Sequence, residues 1–315
     1  MQKRILSIVI PCYNSEKMIS NVVDRIISTL GERAEYEWEI ILVNDGSRDM
    51  TWDVISGLAN GNKRIKAINF SRNFGQHAAM MAGYRKAVGD LILGLDDDGE
   101  NRPEEMFSLI DKLDEGYDCV CAEYETHGNA FRSLGTRMNN WMACYLLDKP
   151  KNLTMTSYYV VKRFVIEQAI RYQHSYPYIA GLFLQASRNW GTVQLNRSER
   201  LQGKSGYSLK KLLSLWVNGF TAFSVKPLRL AGGLGGFFAC MGLLMGVYVI
   251  IRKICFGDVL AGYSSMMAAL SFFGGMIMLL LGIIGEYVGR IYVSINNSPQ
   301  YVVKEEIDME RKLEN

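Results

Sequence analysis

The N-terminal part of the chain alternates short apolar runs with amphipathic segments. Runs rich in Val, Ile and Leu predict strands near residues 5–10, 38–44, 65–70, 90–95 and 117–122. The intervening segments predict helices near residues 16–30, 50–59, 75–87 and 103–114, and a further strand is expected near 190–197. Because strands that alternate with helices are joined by crossover connections, the pattern predicts an α/β fold with a mostly parallel, doubly wound sheet.

Two long uncharged runs dominate the last third of the chain. Residues 230–251 and 259–285 contain no charged side chain over 22 and 27 residues. About 20 apolar residues are enough to cross a bilayer as a helix. Two buried core helices would be the alternative, but runs of this length separated by only seven residues favour two membrane-spanning helices.

The two patterns divide the chain into four parts. We expect an α/β domain over residues 1–205, a juxtamembrane amphipathic helix over 206–226, two membrane-spanning helices over 227–290 and a tail over 291–315. The spans themselves are expected at about 228–251 and 262–286. The segment before the first span mixes apolar side chains with lysines, as helices at a bilayer surface do. In the tail, an edge strand is expected at 299–303, before a charged, solvated end.

The distribution of basic residues favours one orientation in the bilayer. Lys210, Lys211, Lys226 and Arg229 precede the first span and Arg290 follows the second, against Arg252 and Lys253 between the spans. Because cytoplasmic loops carry an excess of basic residues, the α/β domain and both termini are expected in the cytoplasm. Two spans make a narrow bundle whose glycines would allow close helix contacts, so we expect a homo-oligomer, with a tetramer favoured.

Composition argues against several other classes of protein. The formal net charge of +3 is too small to indicate nucleic acid binding. The six cysteines include no CxxC pair, so neither a zinc site nor a disulfide framework is indicated. The first apolar run, Ile5–Ile10, is too short for a signal peptide and is followed by Pro11, so the N-terminal domain is not expected to be exported.

Three consecutive carboxylates follow the fourth predicted strand. Asp96, Asp97 and Asp98 come directly after Leu91–Leu95 and are followed closely by Glu100. Adjacent anions repel one another unless solvent or a bound cation compensates their charge. Side chains alternate along a strand, so Asp96 and Asp98 could point the same way and share a hard cation such as Mg²⁺ or Mn²⁺. An exposed acidic turn is the alternative.

Polar residues also follow the other predicted strands. Pro11–Asn14 follow the first strand, Asn44–Asp49 the second and Ser71–His77 the third. The carboxyl ends of parallel strands meet at one edge of an open sheet, and ligands bind at that edge in such folds. The sequence therefore predicts a ligand site there.

These motifs, in this order, resemble the polyprenyl-phosphate glycosyltransferases of glycosyltransferase family 2. The resemblance rests on PxYN at 11–14, DGSxD at 45–49, SRNFG at 71–75, AxGDxIxxxDxD at 87–98 and the final apolar run that ends in LGIIGEYVGRIY. It implies a GT-A fold with a Rossmann-like sheet, a nucleotide diphosphate sugar as donor with a UDP-sugar favoured, Mg²⁺ or Mn²⁺ as cofactor, and inversion of the anomeric carbon. The implied acceptor is undecaprenyl phosphate or another polyprenyl phosphate at the cytoplasmic face of the bacterial inner membrane.

The resemblance also implies roles for individual residues. It implies nucleotide-sugar binding by Pro11, Tyr13, Asn14, Asp45, Ser47, Arg72, Asp96 and Asp97. It implies metal coordination by Asp96, Asp98 and Glu100, and catalytic roles for Asp96, Asp98 and Arg132. Two positions depart from the family pattern. Ser15 stands where a Glu commonly follows the Asn of the first motif, a departure in the part implied to recognise the base, and Glu100 stands where a Gln is frequent. The extra carboxylate should bind the cation more tightly or alter the selection between Mg²⁺ and Mn²⁺.

The acceptor phosphate is assigned, by the same resemblance, to the second half of the α/β domain and the loop that follows it. The implied residues are Arg132, Arg137, Arg200, Lys204, Ser205 and Tyr207. Arg132 follows Phe131 as in the family's Phe-Arg pair, and a planar guanidinium suits a phosphate monoester. The alternative is that Arg132 and Arg137 only solvate one helix face. Residues 200–207 resemble the family's RxxGxSKY loop, with Lys204 two places before the family's lysine.

Ser157 and Tyr159 stand in a segment where many relatives carry an Asp and then Phe-Arg. Attack by a sugar hydroxyl needs a general base, whereas a phosphate monoester, with a second pKa of about 6, is largely a dianion at neutral pH. The departure therefore favours a phosphate acceptor. A hydroxyl-directed or processive glycosyltransferase of the same fold and a non-catalytic membrane adaptor are the alternatives. The presence of only two spans and the lack of an Asp near 157 speak against the first alternative, and the intact Asp45, Asp96 and Asp98 speak against the second.

Overall fold

The computed structural model of the protein describes residues 3–124, 144, 150, 153, 155–175, 177–196, 226–256, 262–295 and 299–308. Its internal contacts divide the chain into two units. One unit consists of Met1–Ser214 together with Asn297–Asn315, and the other of Leu215–Asn296. The first is an α/β unit and the second is helical.

The α/β unit confirms the predicted alternation of strands and helices. Its first elements are β1 (Arg4–Cys12), α1 (Ile19–Gly31), β2 (Tyr36–Asn44), α2 (Thr51–Gly61), β3 (Ile65–Phe70), α3 (Gln76–Lys86) and β4 (Leu91–Gly94). A 3-10 turn (Pro103–Glu105) precedes α4 (Met106–Asp114), β5 (Cys119–Tyr124), β6 (Tyr159–Lys162), α5 (Arg163–Ala169), α6 (Ile179–Ala186), β7 (Trp190–Leu195) and β8 (Val303–Ile307). The ends of the predicted elements differ from the observed ones by a few residues.

The strands form one mixed sheet in the order β7-β5-β6-β4-β1-β2-β3-β8. β4, β1, β2 and β3 are parallel neighbours, and Ile8 pairs with Ile40 on one side and with Leu93 on the other. β6 lies antiparallel between β4 and β5, so β5 is not a neighbour of β4. The sequence pattern did not predict β6, because a run of four residues is too short to show a strand's period. The predicted α/β class is nevertheless confirmed, with a mixed sheet in which four of the seven strand pairings are parallel.

Helices cover both faces of the parallel strands. On one face, Leu6, Ile8 and Ile10 of β1 are fully buried in a cluster with apolar side chains of α1 and α4. On the other face α3 packs closely, since a Cβ added at Gly83 would overlap Val9 Cγ1 of β1. This covering leaves the strand ends as the place where loops and polar side chains meet.

The C-terminal residues return to the sheet and add an edge strand. β8 pairs antiparallel with β3, with Ala67 opposite Ile307. The ring of Tyr301 stacks on Phe70 with 4.9 Å between centroids. The predicted edge strand exists, but it starts at Val303, the residue at which the strand was expected to end. Lys304, Glu305 and Glu306 belong to this strand, and they remain exposed.

The helical unit contains two long helices, α7 (Lys226–Phe256) and α8 (Tyr263–Ile295). Within the described residues, one segment is long and apolar enough to cross a membrane, judged by length and composition alone. It is Phe272–Gly289 of α8, and none of it is buried. α7 covers the first predicted span but does not meet the same criterion, so the count of two spans stays a prediction. The predicted amphipathic helix falls on residues 206–225, outside the described residues.

Candidate active site

The carboxyl ends of the four parallel strands form one edge of the sheet, as predicted. Cys12 at the end of β1 lies opposite Asn44 at the end of β2, and Asn44 lies opposite Asn69 of β3. A cavity of about 300 Å³ opens at this edge. Its lining residues are Pro11, Cys12, Tyr13, Asp45, Asn73, Gly75, Gln76, Asp96, Asp97 and Asp98. We call it the carboxylate cavity.

Six of the predicted nucleotide-sugar and metal residues meet in this cavity. They are Pro11, Tyr13, Asp45, Asp96, Asp97 and Asp98. The ring of Tyr13 is 47% exposed and therefore accessible to a flat ligand. The carboxylates come from two separate strand ends, which brings four acidic side chains to one small space.

Asn14 and Ser47 hold the first two loops together and do not line the cavity. The Asn14 N–H donates to Ser47 Oγ (3.0 Å), and Asn14 Oδ1 accepts a hydrogen bond from the Arg48 N–H (3.0 Å). Asn14 has a φ of 53°, a conformation that Asn tolerates better than most residues. Glu16 Oε2 accepts a hydrogen bond from the Met50 N–H (2.9 Å), so this carboxylate also connects the first two loops.

Asp45 connects the end of β2 to the loop after β3. Its Oδ1 accepts the N–H of Phe74 (2.7 Å), and its Oδ2 accepts the N–H of Gly75 (2.9 Å). Burial raises the pKa of Asp45 to about 6, against the opposing effect of these two hydrogen bonds. The neighbouring Gly46 has a φ of +61°, and a Cβ there would overlap the backbone of Arg72, so the turn requires glycine.

The acidic run after β4 makes three different sets of hydrogen bonds. Asp96 Oδ1 accepts a hydrogen bond from Gln76 Nε2 (2.7 Å), and its Oδ2 accepts one from Ser157 Oγ. Asp97 Oδ2 accepts the N–H of Tyr13 (2.9 Å). Asp98 Oδ1 accepts the N–H of Glu100 (3.0 Å). Burial raises the pKa of Asp96, and it raises the pKa of Asp97 to about 6.

The predicted metal ligands are only partly brought together. Asp96 and Asp98 line the carboxylate cavity, whereas Glu100 is buried and does not. Among the described residues, no three His, Cys, Asp or Glu side chains are arranged to hold a metal ion. A Mg²⁺-type site needs only one or two carboxylates when substrate phosphates and water complete the coordination. Burial raises the pKa values of Asp45, Asp96 and Asp97 and so disfavours their charged forms, and these crowded carboxylates fit a cation that arrives with its substrate.

A second cavity of about 210 Å³ adjoins the first and shares Asp96 and Gln76 with it. Its other lining residues are His77, Met80, Leu95, Met155, Thr156, Ser157, Tyr159, Tyr178, Ile179, Ala180, Phe183 and Trp190. Because most of these are apolar or aromatic, we call it the aromatic cavity. The His77 ring meets the Tyr178 ring edge-on, with centroids 5.5 Å apart. Desolvation by the surrounding protein lowers the pKa of His77 to about 4, so its imidazole is neutral at pH 7.

The aromatic cavity was not predicted from the sequence. A local signal exists for five of its residues, because Gln76 and His77 lie in the third strand-end motif, Asp96 lies in the acidic run, and Ser157 and Tyr159 depart from the family pattern. Arg72 does not line either cavity. Its guanidinium lies over the ring of Phe74, with 4.4 Å between Cζ and the ring centroid. Arg132, Arg137, Arg200, Lys204, Ser205 and Tyr207 fall outside the described residues, so the acceptor site stays a prediction.

Comparison with known proteins identifies the family. A sequence model described as glycosyl transferase family 2 matches residues 7–173, more than half of the chain. The chain belongs to glycosyl transferase family 2. The family resemblance predicted from the motifs is thus confirmed, and so is the assignment of the chain as a glycosyltransferase. A second model, described as the GtrB C-terminal hairpin, matches residues 226–291, which include α7 and most of α8.

Relatives match this glycosyltransferase over nearly their whole length. The uncharacterized glycosyltransferase YkcC of Bacillus subtilis (strain 168) is 33% identical, over 97% of this chain and 95% of its own. The undecaprenyl-phosphate 4-deoxy-4-formamido-L-arabinose transferase of Proteus mirabilis (strain HI4320) is 32% identical, over 98% of this chain and 96% of its own. The bactoprenol glucosyl transferase of Shigella phage SfII is 30% identical, over 95% of this chain and 97% of its own.

Solved structures resemble the fold of a large part of the glycosyltransferase. Mannosyl-3-phosphoglycerate synthase from Rubrobacter xylanophilus superposes with a TM-score of 0.51 at 19% identity, covering 73% of this chain and 75% of its own. Glucosyl-3-phosphoglycerate synthase from Mycobacterium tuberculosis, in complex with Mn²⁺ and UDP-glucose, also superposes with a TM-score of 0.51 at 19% identity. The match covers 69% of this chain and 77% of its own. At this identity the likeness concerns the fold, and it confirms the predicted GT-A class.

Proposed function

We propose that this glycosyltransferase moves a sugar from a nucleoside diphosphate sugar to a polyprenyl phosphate. The observation that carries the proposal is the carboxylate cavity, which gathers Tyr13, Asp45 and Asp96–Asp98 at the ligand-binding edge of an α/β sheet. The acceptor is supported by two relatives, named as an undecaprenyl-phosphate transferase and a bactoprenol glucosyl transferase, that match at least 95% of the chain.

The donor would occupy the carboxylate cavity with its base near Tyr13. A nucleotide base has a flat π face that stacks on an aromatic ring, and the ring of Tyr13 is exposed for this purpose. Asp45 faces the same cavity and can accept hydrogen bonds from the base or ribose. A UDP-sugar is our favoured donor.

The diphosphate would lie beside Asp96 and Asp98, the two predicted metal ligands that line the cavity. Phosphate oxygens and carboxylates repel each other, so the pair needs a compensating cation. Mg²⁺ or Mn²⁺, when bound, would neutralise these oxygens and stabilise the charge that develops on the leaving nucleoside diphosphate. The structure of glucosyl-3-phosphoglycerate synthase with Mn²⁺ and UDP-glucose supports such a cation in this fold.

The reaction would be a single displacement at the anomeric carbon. An oxygen of the acceptor phosphate forms a bond to this carbon, while the bond to the diphosphate oxygen breaks and its electron pair leaves with the nucleoside diphosphate. One displacement inverts the configuration. The acceptor is largely a dianion at neutral pH, since its second pKa is about 6, so no protein base is required to remove a proton.

The decisive experiment tests donor and acceptor together. Membranes that contain the full chain would receive undecaprenyl phosphate and one labelled donor at a time: UDP-glucose, UDP-galactose, UDP-N-acetylglucosamine, UDP-4-deoxy-4-formamido-L-arabinose or GDP-mannose. We expect label to enter the organic phase with at least one donor, in a reaction that EDTA stops and Mg²⁺ or Mn²⁺ restores. Label transferred to a hydroxyl acceptor, or released only as free sugar, would contradict the proposal.

The proposed location is the bacterial inner membrane, with two spans and both termini in the cytoplasm. The match of residues 226–291 to a hairpin family and the apolar segment Phe272–Gly289 support this arrangement. A reporter enzyme that is active only outside the cytoplasm, inserted after Gly257 between the helices, should be active. The same reporter fused after Asn315 should be inactive. Activity at both positions would contradict the hairpin.

A further inference from the structure

Both oxygens of the Asp96 carboxylate are held by side chains of other elements. Gln76 Nε2, at the start of α3, donates to Oδ1 at 2.7 Å, and Ser157 Oγ, just before β6, donates to Oδ2. Asp96 and Gln76 line both cavities, and Ser157 lines the aromatic cavity. The carboxylate therefore stands in the wall between the two cavities, with its direction fixed from two sides.

The bond that breaks should lie near this wall. In a nucleoside diphosphate sugar the anomeric carbon is joined directly to the diphosphate, and the diphosphate is assigned to the carboxylate cavity. The sugar must then extend into neighbouring space. The aromatic cavity is suited to it, because it adjoins the first cavity through Asp96 and Gln76. This step rests on the proposed function.

We propose that Ser157 and Gln76 are positioning residues that orient the Asp96 carboxylate toward the donor sugar. A carboxylate has about four lone-pair directions. The two donors occupy two of them and leave the others for the cation and for sugar hydroxyls. Both donors are neutral, so they fix the carboxylate without adding charge. An acidic side chain at position 157 would instead repel Asp96.

The two hydrogen bonds to Asp96 should contribute unequally to the rate. The Ser157 hydroxyl lies in a partly buried place, whereas Gln76 is exposed. Water can replace a donor at an exposed site, so the loss of Gln76 should matter less than the loss of Ser157.

The test compares variants of the full-length membrane enzyme, with the donor that gives the highest rate in the panel above. Ser157→Ala should lower kcat about ten- to a hundredfold, because it removes a hydrogen bond to a charged group that sets reacting geometry. The KM for the donor should change less than kcat, and the affinity for UDP, or for GDP with a GDP-sugar donor, should stay at the wild-type value. Ser157→Thr keeps a hydroxyl and should restore most of the rate. Ser157→Asp should be worse than Ser157→Ala.

A matched control separates this role from a general effect on folding. Ser187 Oγ donates to Asp118 Oδ2 at 2.9 Å, and neither residue lines the carboxylate cavity or the aromatic cavity. Ser187→Ala removes the same kind of bond and should leave kcat within about twofold of the wild-type rate. Gln76→Ala should lower kcat a few-fold. The double variant with Ser157→Ala should show a smaller reduction in kcat than the product of the two single reductions, because both residues act through one carboxylate.

The outcomes separate this inference from the proposed function. If the wild-type enzyme transfers sugar and Ser157→Ala keeps its kcat, or Ser157→Thr fails to restore it, the positioning role is wrong and the function stands. If UDP or GDP affinity falls in step with kcat, the serine supports the nucleotide site and the inference is also wrong. If no donor supports transfer by the wild-type enzyme, the proposed function fails and the inference falls with it.

Discussion

Three identical side chains after β4 have three different surroundings. Asp97 fixes the backbone of Tyr13, Asp96 is held between Gln76 and Ser157, and Asp98 accepts the N–H of Glu100. A count of carboxylates in the sequence could not separate these roles, because each depends on what the neighbouring elements present. For the cation, Asp98 is the residue to test first.

Asp98→Asn should reduce transfer at least tenfold and leave the protein folded. The change replaces a charged ligand with a weak neutral one at a strand end, where little packing is lost. The rate would be measured with saturating Mn²⁺, and folding by thermal denaturation. Asp111→Asn, which breaks only the exposed ion pair with Arg33, is the control and should retain full activity. Activity above about a tenth of wild type, a loss below roughly 1.4 kcal/mol, would remove Asp98 from the metal site.

His77 should make stability depend on pH between about 6.5 and 4. Burial lowers its pKa from 6.5 to about 4, so in this window the unfolded chain binds more protons than the folded protein. The contribution of His77 to stability is therefore complete above pH 6.5 and is lost as the pH falls toward 4. Asp45 and Asp97, whose pKa values are raised to about 6, act in the opposite direction.

The difference between wild type and His77→Gln isolates this contribution from the carboxylates. Melting temperatures of the detergent-solubilised proteins would be compared from pH 7.5 to pH 4.5. The melting temperature of the wild type relative to that of the variant should fall as the pH falls. Two curves that stay parallel across this range would show that His77 titrates in the folded protein as it does in the unfolded chain.

The sequence predicted the carboxylate cavity well because strand order determines which residues meet. Pro11, Tyr13, Asp45 and Asp96–Asp98 all follow parallel strands, and the sheet brings them to one edge. The family resemblance also assigned Asn14 and Ser47 to the ligand, but they bond to loop backbone and to each other. Short polar side chains at strand ends serve either purpose. The bond between Asp96 and Ser157 spans 61 positions, and no local pattern indicates it.

At the scale of elements, the contact between α3 and β1 depends on a glycine. A Cβ at Gly83 would overlap Val9 Cγ1, so Gly83→Ala should destabilise the protein by about 1–3 kcal/mol through overpacking. Gly57 in α2 is the control, because a Cβ there meets nothing within 4 Å. Gly57→Ala should be neutral or stabilise the protein by roughly 0.5–1 kcal/mol through helix propensity.

Chemical denaturation of the two variants would measure both effects on one scale. Equal stabilities for Gly83→Ala and Gly57→Ala would show that α3 can shift away from β1 without cost, and the close packing would then carry no structural constraint.

Two strands, β6 and β8, could not be predicted correctly from the sequence pattern. β6 has four residues, and its place between β4 and β5 depends on partners distant in sequence. β8 contains Lys304, Glu305 and Glu306, which a sequence pattern assigns to a solvated tail. An edge strand pairs on one side only and tolerates charged side chains, and such charges discourage pairing with other molecules. The long strands β1 and β2 were predictable because their apolar runs are bounded by turn residues.

For the whole molecule, the last residues of the chain complete the sheet of its first part. Tyr301 stacks on Phe70 and its hydroxyl accepts a hydrogen bond from Arg85 (2.9 Å). Glu305 accepts a hydrogen bond from Trp52 Nε1 (3.1 Å), and Glu306 pairs with Lys86 (2.5 Å). The α/β unit is therefore discontinuous in sequence, with the helical unit inserted before its final strand.

Loss of the Tyr301 contacts should weaken the α/β unit measurably. Tyr301→Ala removes the stacked ring and should lower the free energy of unfolding by roughly 1–3 kcal/mol, less than for a fully buried aromatic residue. Tyr301→Phe keeps the ring and should cost about 1 kcal/mol or less. Denaturant titration of both variants measures the two losses in the free energy of unfolding. A loss for Tyr301→Phe as large as that for Tyr301→Ala would assign the effect to the hydroxyl.

The discontinuous sheet has a consequence for biosynthesis. A ribosome makes β3 long before β8, and it must synthesise both long helices in between. At about 5–20 residues per second this interval lasts roughly ten seconds or more. During that time β3 presents an unpaired edge that other nascent chains can join. The step that closes this edge is the synthesis of β8, so premature termination anywhere before Val303 leaves every product with an open sheet.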